Sequence, residues 1–330
     1  MEKYCRGLKL FILLVSFFTQ FISCSSPLSS PQSNQLKFMQ MGLFSLVAQV
    51  PEKMININGL ERNYIDYVPS NLEENSSILL AYHGSGQSAT EFRRIVGGAL
   101  ENFANVNKFV IVYLTGYKGN FNDCRKKAKY PARLENIDDK TFTKSILERL
   151  RIETGKELKD VYALGYSNGA HFAYRLVIEE PDLIKGIVAI SANLPSEENM
   201  DCKASVSKNK PNIAIIQGER DIINPTKGGD SGGGVISSRG RVLSTKETAD
   251  WFKDKYNMTS TNSHLKFLVS KGLQVTHESW NSSNSRILLT LLKNAGHTIP
   301  QESYTFPIAM GETYHDNSII EHSLETIRNW

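Results

Sequence analysis

From about residue 54 onward, short apolar runs alternate with longer polar or amphipathic stretches, and each run is the length of one strand. MININ (54–58) and RNYIDYVP (62–69) flank Gly59 and read as a hairpin. SILLAY (77–82), FVIVYL (109–114), VYALG (161–165), GIVAIS (186–191), NIAIIQG (212–218) and RILLTLL (286–292) are nearly continuous apolar runs, as expected of strands buried on both faces. Between them the period changes. DKTFTKSILERLRI (139–152) places Phe142, Ile146, Leu147 and Leu150 on one helical face. AHFAYRLVIEE (170–180), TKETADWFKDKY (245–256) and SIIEHSLETIRN (318–329) read as further helices. Strands alternating with helices predict an α/β fold with a mostly parallel sheet covered on both faces. No internal repeat or linker interrupts residues 51–330, which read as one domain.

The first fifty residues follow different rules. Lys3, Arg6 and Lys9 precede LFILLVSFFTQFIS, and Ser23, Cys24, Ser25 and Ser26 follow it. That order, basic then apolar then small, is the order of a secretory signal over residues 1–23. A retained membrane anchor needs ~20 apolar residues, and Thr19 and Gln20 interrupt this run. Phe21-Ile22-Ser23-Cys24 resembles a bacterial lipobox, with Phe21 where leucine is usual, so Cys24 is the candidate for lipidation. Residues 24–50 then form a tether or N-terminal extension. Ordinary cleavage nearby, with Cys24 incidental, is the alternative. The expected location is therefore exported, as a bacterial lipoprotein or otherwise freely secreted, and the membrane is touched only through an N-terminal lipid.

Export changes the reading of the cysteines. Cys5 leaves with the signal, and acylation of Cys24 would leave Cys124 and Cys202 as the remaining pair in an oxidising compartment. A bridge between them is expected, two separate buried thiols being the alternative. The four cysteines show no C-x-x-C spacing, so no zinc site is expected. Of 330 residues, 40% are hydrophobic and 22% charged, which sets disordered and low-complexity classes aside. The net charge of +4, falling to +2 without Lys3, Arg6, Lys9 and Glu2, has no long block of like charges behind it. Nothing in it calls for a nucleic-acid partner.

The reactive centre is expected at Gly165-Tyr166-Ser167-Asn168-Gly169, a G-x-S-x-G pattern between a strand and an amphipathic helix. A serine there sits on a tight turn, and Gly165 and Gly169 remove side chains that would keep strand and helix apart. The alternative is a glycine-rich turn whose serine merely caps the helix. A serine hydroxyl needs a base, and the base needs an orienting acid. Asp221 follows NIAIIQG and His297 follows RILLTLL, in the order Ser, Asp, His and just past strand ends. Glu219 is the rival acid. His171 reads as packed or at the surface, His264 and His277 lie in polar segments that read as exposed, and His315 and His322 belong in or near the last helix. None of these follows a core strand.

Acyl transfer also requires donors for the oxyanion, each worth about 3–4 kcal/mol. The N–H of Asn168 is one candidate. The other comes from HGSGQS (83–88), with Ser85 preferred and Gly84 or Gly86 open. No Gly-Lys-Ser/Thr follows that loop, which sets a phosphate loop aside. GGDSGGG (228–234) reads as a flexible loop near the site. No metal and no organic cofactor is required.

Several segments together resemble secreted serine esterases of the α/β-hydrolase fold, the group of polyhydroxybutyrate depolymerases and feruloyl or acetylxylan esterases. GLERNYIDYVPS, LLAYHGSGQSA, FNDCR with NIDDKTF, DVYALGYSNGAHFAYRL, SANLP, QGERDIINP and AGHTIP occur in the order of that group, over roughly residues 55–300. The resemblance implies Ser167 as nucleophile, His297 as base and Asp221 as acid. It also implies a small or polymeric ester substrate, plant polysaccharide esters included. Phe121 stands where a tryptophan is usual, and Ile299 replaces the aromatic of H-T-W-P. Both are expected to line the substrate cleft. A serine peptidase of the same fold and a non-catalytic glycan-binding surface lipoprotein are the alternatives.

Overall fold

A ten-stranded sheet organises the protein. The computed structural model describes residues 50–234, 238–258, 264–270 and 272–328. The export segment 1–23, Cys24 and the extension up to residue 49 lie outside the described residues.

The strands are β1 (Lys53–Ile57), β2 (Leu60–Tyr67), β3 (Ser77–Tyr82), β4 (Phe109–Leu114), β5 (Val161–Tyr166), β6 (Gly186–Ile190), β7 (Asn212–Gly218), β8 (Gly229–Asp230), β9 (Arg241–Val242), β10 (His264–Ser270), β11 (Leu273–Asn281) and β12 (Arg286–Leu292). The helices are α1 (Ala89–Asn107), α2 (Pro131–Leu134), α3 (Asp139–Thr154), α4 (Asn168–Glu179), α5 (Thr245–Lys255) and α6 (Ser318–Arg328). The sheet order is β1-β2-β4-β3-β5-β6-β7-β12-β11-β10. From β4 to β12 all neighbours are parallel, and an antiparallel hairpin closes each side. β8 and β9 form a separate two-stranded ribbon.

Side-chain alternation divides the core between the two faces of the sheet. Ile78, Leu80 and Tyr82 of β3 pack with Phe142, Ile146 and Leu150 of α3, Phe172 and Leu176 of α4, and Phe252 of α5. Leu79 and Ala81 turn to the opposite face, with Phe92, Val96 and Leu100 of α1 and Ile320, Leu324 and Ile327 of α6. Every residue of β4, β5, β6 and β7 is buried. Each large apolar side chain so placed contributes roughly 1.5–3 kcal/mol.

Local signals start and stop the helices. Ser88 accepts from the Glu91 N–H at the start of α1, and Lys108 ends it in the left-handed region. Asp138 caps α3, which ends at Gly155 with φ +61°. Ser244 and Glu247 form a capping box on α5.

Three elements differ from the sequence expectation. α1 is a nineteen-residue helix where no element is predicted. His264–Ser270 and Leu273–Asn281 pair as antiparallel strands, and His277, in a segment that reads as exposed, is buried and bonded to Thr290. GGDSGGG is only partly loop, since Gly229–Asp230 pairs with Arg241–Val242. No helix among the described residues is long and apolar enough to cross a membrane.

Candidate active site

Because β3 to β7 and β12 run parallel, the residues following them share one edge of the sheet. Ser167 follows β5, Asp221 follows β7, His297 follows β12, and the loop from His83 follows β3. Open α/β sheets place their sites at that edge.

Ser167 has φ +51° and ψ −114°, a conformation that a non-glycine residue adopts at a cost of about 1–3 kcal/mol. Surrounding bonds hold it there. Its N–H donates to Ile190 O at 2.9 Å, and its carbonyl accepts from the His171 N–H at 3.0 Å. Ser167 makes no side-chain cap on α4, which leaves its hydroxyl for another partner. The tightness of the turn explains both glycines. A Cβ on Gly165 would lie 2.4 Å from the Gly169 carbonyl carbon, and one on Gly169 would lie 2.2 Å from Tyr82 O. G169A is therefore expected to cost on the order of 3 kcal/mol in stability, because α4 cannot back away from β3 without opening the core. A urea midpoint equal to wild type would contradict this.

The hydroxyl of Ser167 lies 2.9 Å from His297 Nε2, and His297 Nδ1 lies 2.7 Å from Asp221 Oδ2. All three residues are buried. The Asp221 carboxylate is heavily hydrogen-bonded. Oδ1 accepts from the N–H groups of Ile223 and Asn224 at 2.9 and 2.7 Å, and Oδ2 also accepts from Gln217 Nε2 at 3.0 Å. An ionised carboxylate only accepts, so Nδ1 of His297 carries the proton and Nε2 presents its lone pair to the serine. His297 itself is pinned through its backbone. Its N–H donates to Met310 O at 2.7 Å, and its carbonyl accepts from Tyr166 Oη at 2.7 Å. Glu219, the rival acid, is exposed. This arrangement can withdraw a proton from a serine hydroxyl and hold the resulting imidazolium.

Two backbone N–H groups are candidate oxyanion donors. Asn168 N–H is the first of α4, and helix geometry leaves the first N–H groups without an intrahelical acceptor. In the HGSG loop, Gly84 N–H donates to Gln87 Oε1 and Gly86 N–H donates to Gly119 O. Of the three donors weighed there, that leaves Ser85. His83 anchors the loop. Its Nδ1 lies 2.7 Å from Gly84 O, and its Nε2 accepts from the Gly116 N–H at 2.9 Å. The accepting Nε2 requires a neutral ring, and burial pushes the imidazole down to about 4.

An unfolded histidine titrates near 6.5, so between about pH 6.5 and 4 unfolding takes up a proton at His83. Stability is full above pH 6.5 and falls toward pH 4, by about 3 kcal/mol from this residue. His171, held well below its ordinary value by burial and then by the charge of Arg125, acts in the same direction. Urea midpoints measured from pH 7 to 4 should therefore fall, and H83Q should flatten the fall. A flat wild-type profile would contradict the assignment.

Sequence reasoning misses the side chains that hold the site together. The Asn168 amide ties the nucleophile's helix to the segment that follows β4. Its Oδ1 accepts from Phe121 N–H at 2.7 Å, while Nδ2 reaches Phe121 O, Asp123 Oδ2 and Tyr130 Oη at 3.0, 2.8 and 3.2 Å. Asp123 is bound by Arg125 in a buried ion pair. Burial opposes its charge, but the guanidinium outweighs burial and keeps the carboxyl well below the usual range. Cys124, between them, is joined to Cys202. His171 is buried, and its Nε2 faces Asn224 Nδ2 at 2.9 Å rather than any serine. Gln217 is readable only as the residue before the strand-ending Gly218. Asn168 and Asp123 carry no periodic signal at all.

Phe121 and Ile299 require correction. Neither lines a cleft, for both are fully buried. Phe121 packs between Tyr82, His83 and Phe172, and Ile299 belongs to the core on the α1 side. A smaller aromatic at 121 and an aliphatic residue at 299 are both accommodated by core packing. Among the described residues no cluster of three or more His, Cys, Asp or Glu could hold a metal ion. A polar cleft of about 390 Å³, bordered by Lys159, Lys185 and Asn212, opens at the N-terminal ends of the strands, away from Ser167.

No family model matches the chain. It is 27% identical over 187 residues to "Putative esterase NocK" of Nocardia uniformis subsp. tsuyamanensis, a match covering 55% of this chain and 52% of that protein. The chain thus spans about half the length of the curated relative it matches. Among solved structures it is similar to acetyl xylan esterase from Aspergillus awamori, with a TM-score of 0.52 and 13% identity over 75% of this chain and 94% of that one. The fold is that of the α/β-hydrolases.

Proposed function

We propose that this chain is a serine carboxylesterase of the α/β-hydrolase fold. The observation that carries the reading is the continuous relay from Ser167 Oγ through His297 to Asp221, at 2.9 and 2.7 Å. The partial likeness to an esterase supports it.

Ser167 Oγ attacks the ester carbonyl carbon while His297 Nε2 takes the hydroxyl proton. The oxyanion is received by the N–H groups of Ser85 and Asn168. The bond to the alcohol oxygen breaks, and the alcohol leaves with the proton from His297. Water then adds to the acyl-enzyme, gives a proton to His297, and the acid departs as Ser167 recovers its hydrogen. Asp221 keeps the imidazole in the required tautomer throughout. No metal enters these steps.

The finer reading is an exported enzyme, tethered through Cys24 or released, acting on feruloyl, acetyl or hydroxyalkanoate esters. Rates on ethyl ferulate, acetylated xylan and hydroxybutyrate oligomers would rank these classes. The esterase reading itself is tested with p-nitrophenyl acetate. A burst of p-nitrophenol equal to the enzyme concentration is expected, followed by steady turnover. Neither burst nor turnover on this or any ester of the panel would instead favour a non-catalytic glycan-binding protein.

A further inference from the structure

The segment that folds back onto the Asp221 loop carries a surplus cation. Arg239 is half-buried, and its guanidinium makes no hydrogen bond or ion pair among the described residues. Its backbone is fixed on both sides. The N–H donates to Ser231 O at 2.8 Å, and the carbonyl accepts from Asn199 Nδ2 at 3.0 Å. Asn199 is fully buried and also binds the N–H groups of Lys126 and Lys127. This staples the Arg239 segment to the segment that carries Asp123 and Arg125. On its other side, Gly232 N–H donates to Ile223 O, two residues past Asp221.

The carboxylate whose charge acts on Arg239, that of Asp123, is already committed. Asp123 binds the Arg125 guanidinium, the Arg125 N–H and Asn168 Nδ2. The cluster therefore holds two guanidinium groups for one carboxylate, and the excess charge sits on Arg239. Burial and then Arg125 push Arg239 below its ordinary value, with Tyr130 and Asp123 compensating in part. His171, one helical turn beyond Ser167, feels the same charge. Exposed Lys126, Lys127 and Lys129 continue the positive surface outward. A partly desolvated cation without a partner is costly unless an anion completes it. Guanidinium matches carboxylate in a two-pronged geometry.

We infer that Arg239 receives a carboxylate of the substrate, so that the enzyme selects anionic esters. The inference rests on the esterase reading above and adds the substrate class. The carboxylate belongs either to the acyl group or to the alcohol, and two substrate pairs separate these. p-Nitrophenyl hydrogen glutarate against p-nitrophenyl valerate tests the acyl side. 3-Acetoxybenzoate against 3-tolyl acetate tests the alcohol side.

Wild type should favour the anionic member of one pair by about tenfold to a hundredfold in kcat/KM, the range for a hydrogen-bonded charge. In R239Q that ratio should fall to about one, the loss falling on the anionic member, and R239K should restore part of it. A ratio near one for both pairs in wild type overturns the inference, as does an equal loss on both members in R239Q. Hydrolysis of the neutral members alone leaves the esterase reading standing without this specificity. Hydrolysis of none of the four ends both.

Discussion

Alanine at position 167 is expected to lower kcat on p-nitrophenyl acetate by about 10⁶, the scale of serine removal in other serine hydrolases. The magnitude follows from what is lost. Without Oγ there is no acyl-enzyme, and His297 Nε2, 2.9 Å from that oxygen in the wild type, is left to assist water unaided. Residual rate would draw on the oxyanion donors, which the substitution does not touch. The fold should survive, since Ser167 caps no helix end and the turn is held by its backbone bonds to Ile190 and His171. Retention of more than about a tenth of wild-type activity, with the same thermal midpoint, would refute the role given to Ser167.

Asparagine at 221 should lower kcat by about 10⁴ while leaving the structure in place. Oδ1 of Asp221 accepts two backbone N–H groups, from Ile223 and Asn224. Those donors dictate which way an amide would lie: its oxygen must stay on them, so its NH₂ takes the place of Oδ2 and faces His297 Nδ1. Nδ1 must then accept, the ring proton moves to Nε2, and the nitrogen aimed at Ser167 can no longer take a proton. Gln217 can turn its unpartnered Oε1 toward the new NH₂, giving up the bond from its Nε2 to Asn224 O. The variant should therefore keep its urea midpoint to within about 1 kcal/mol and lose turnover. A less than tenfold loss would mean that Asp221 does not set the tautomer.

What can be read from the sequence follows burial. β3, β4, β5, β6, β7 and β12 lie in the sheet interior, so their apolar runs are nearly continuous and stand out. Residues 89–107 have a helical face in Phe92, Val96, Leu100 and Phe103, but Gly97 and Gly98 interrupt it and lower helix propensity. Gly97 is tolerated because Tyr113, Arg93 and Glu101 crowd that side of the helix. The β10–β11 hairpin sits at the sheet edge, where Val275 and Trp280 of β11 are buried on opposite faces but polar Gln274, Thr276 and Glu278 dilute the pattern.

Ser167, Asp221 and His297 are legible for the same reason as the central strands, each following an unmistakable run. Their supports are not. Gln217, Asn224, Asp123 and Tyr166 act through contacts made only when distant segments meet, such as the bond from Tyr166 to a carbonyl 131 residues away. Phe121 and Ile299 depart from expectation because likeness to a family gives a position along the chain, not its depth in the core.

Activation of one serine by one histidine is put to its sharpest test by covalent mapping. After treatment with a fluorophosphonate, digestion and peptide mass analysis, a single stoichiometric adduct is expected on Ser167. The adduct should be absent from S167A and formed far more slowly in H297Q. An adduct on another serine, or none on Ser167 in active protein, would show that the relay does not do the chemistry assigned to it.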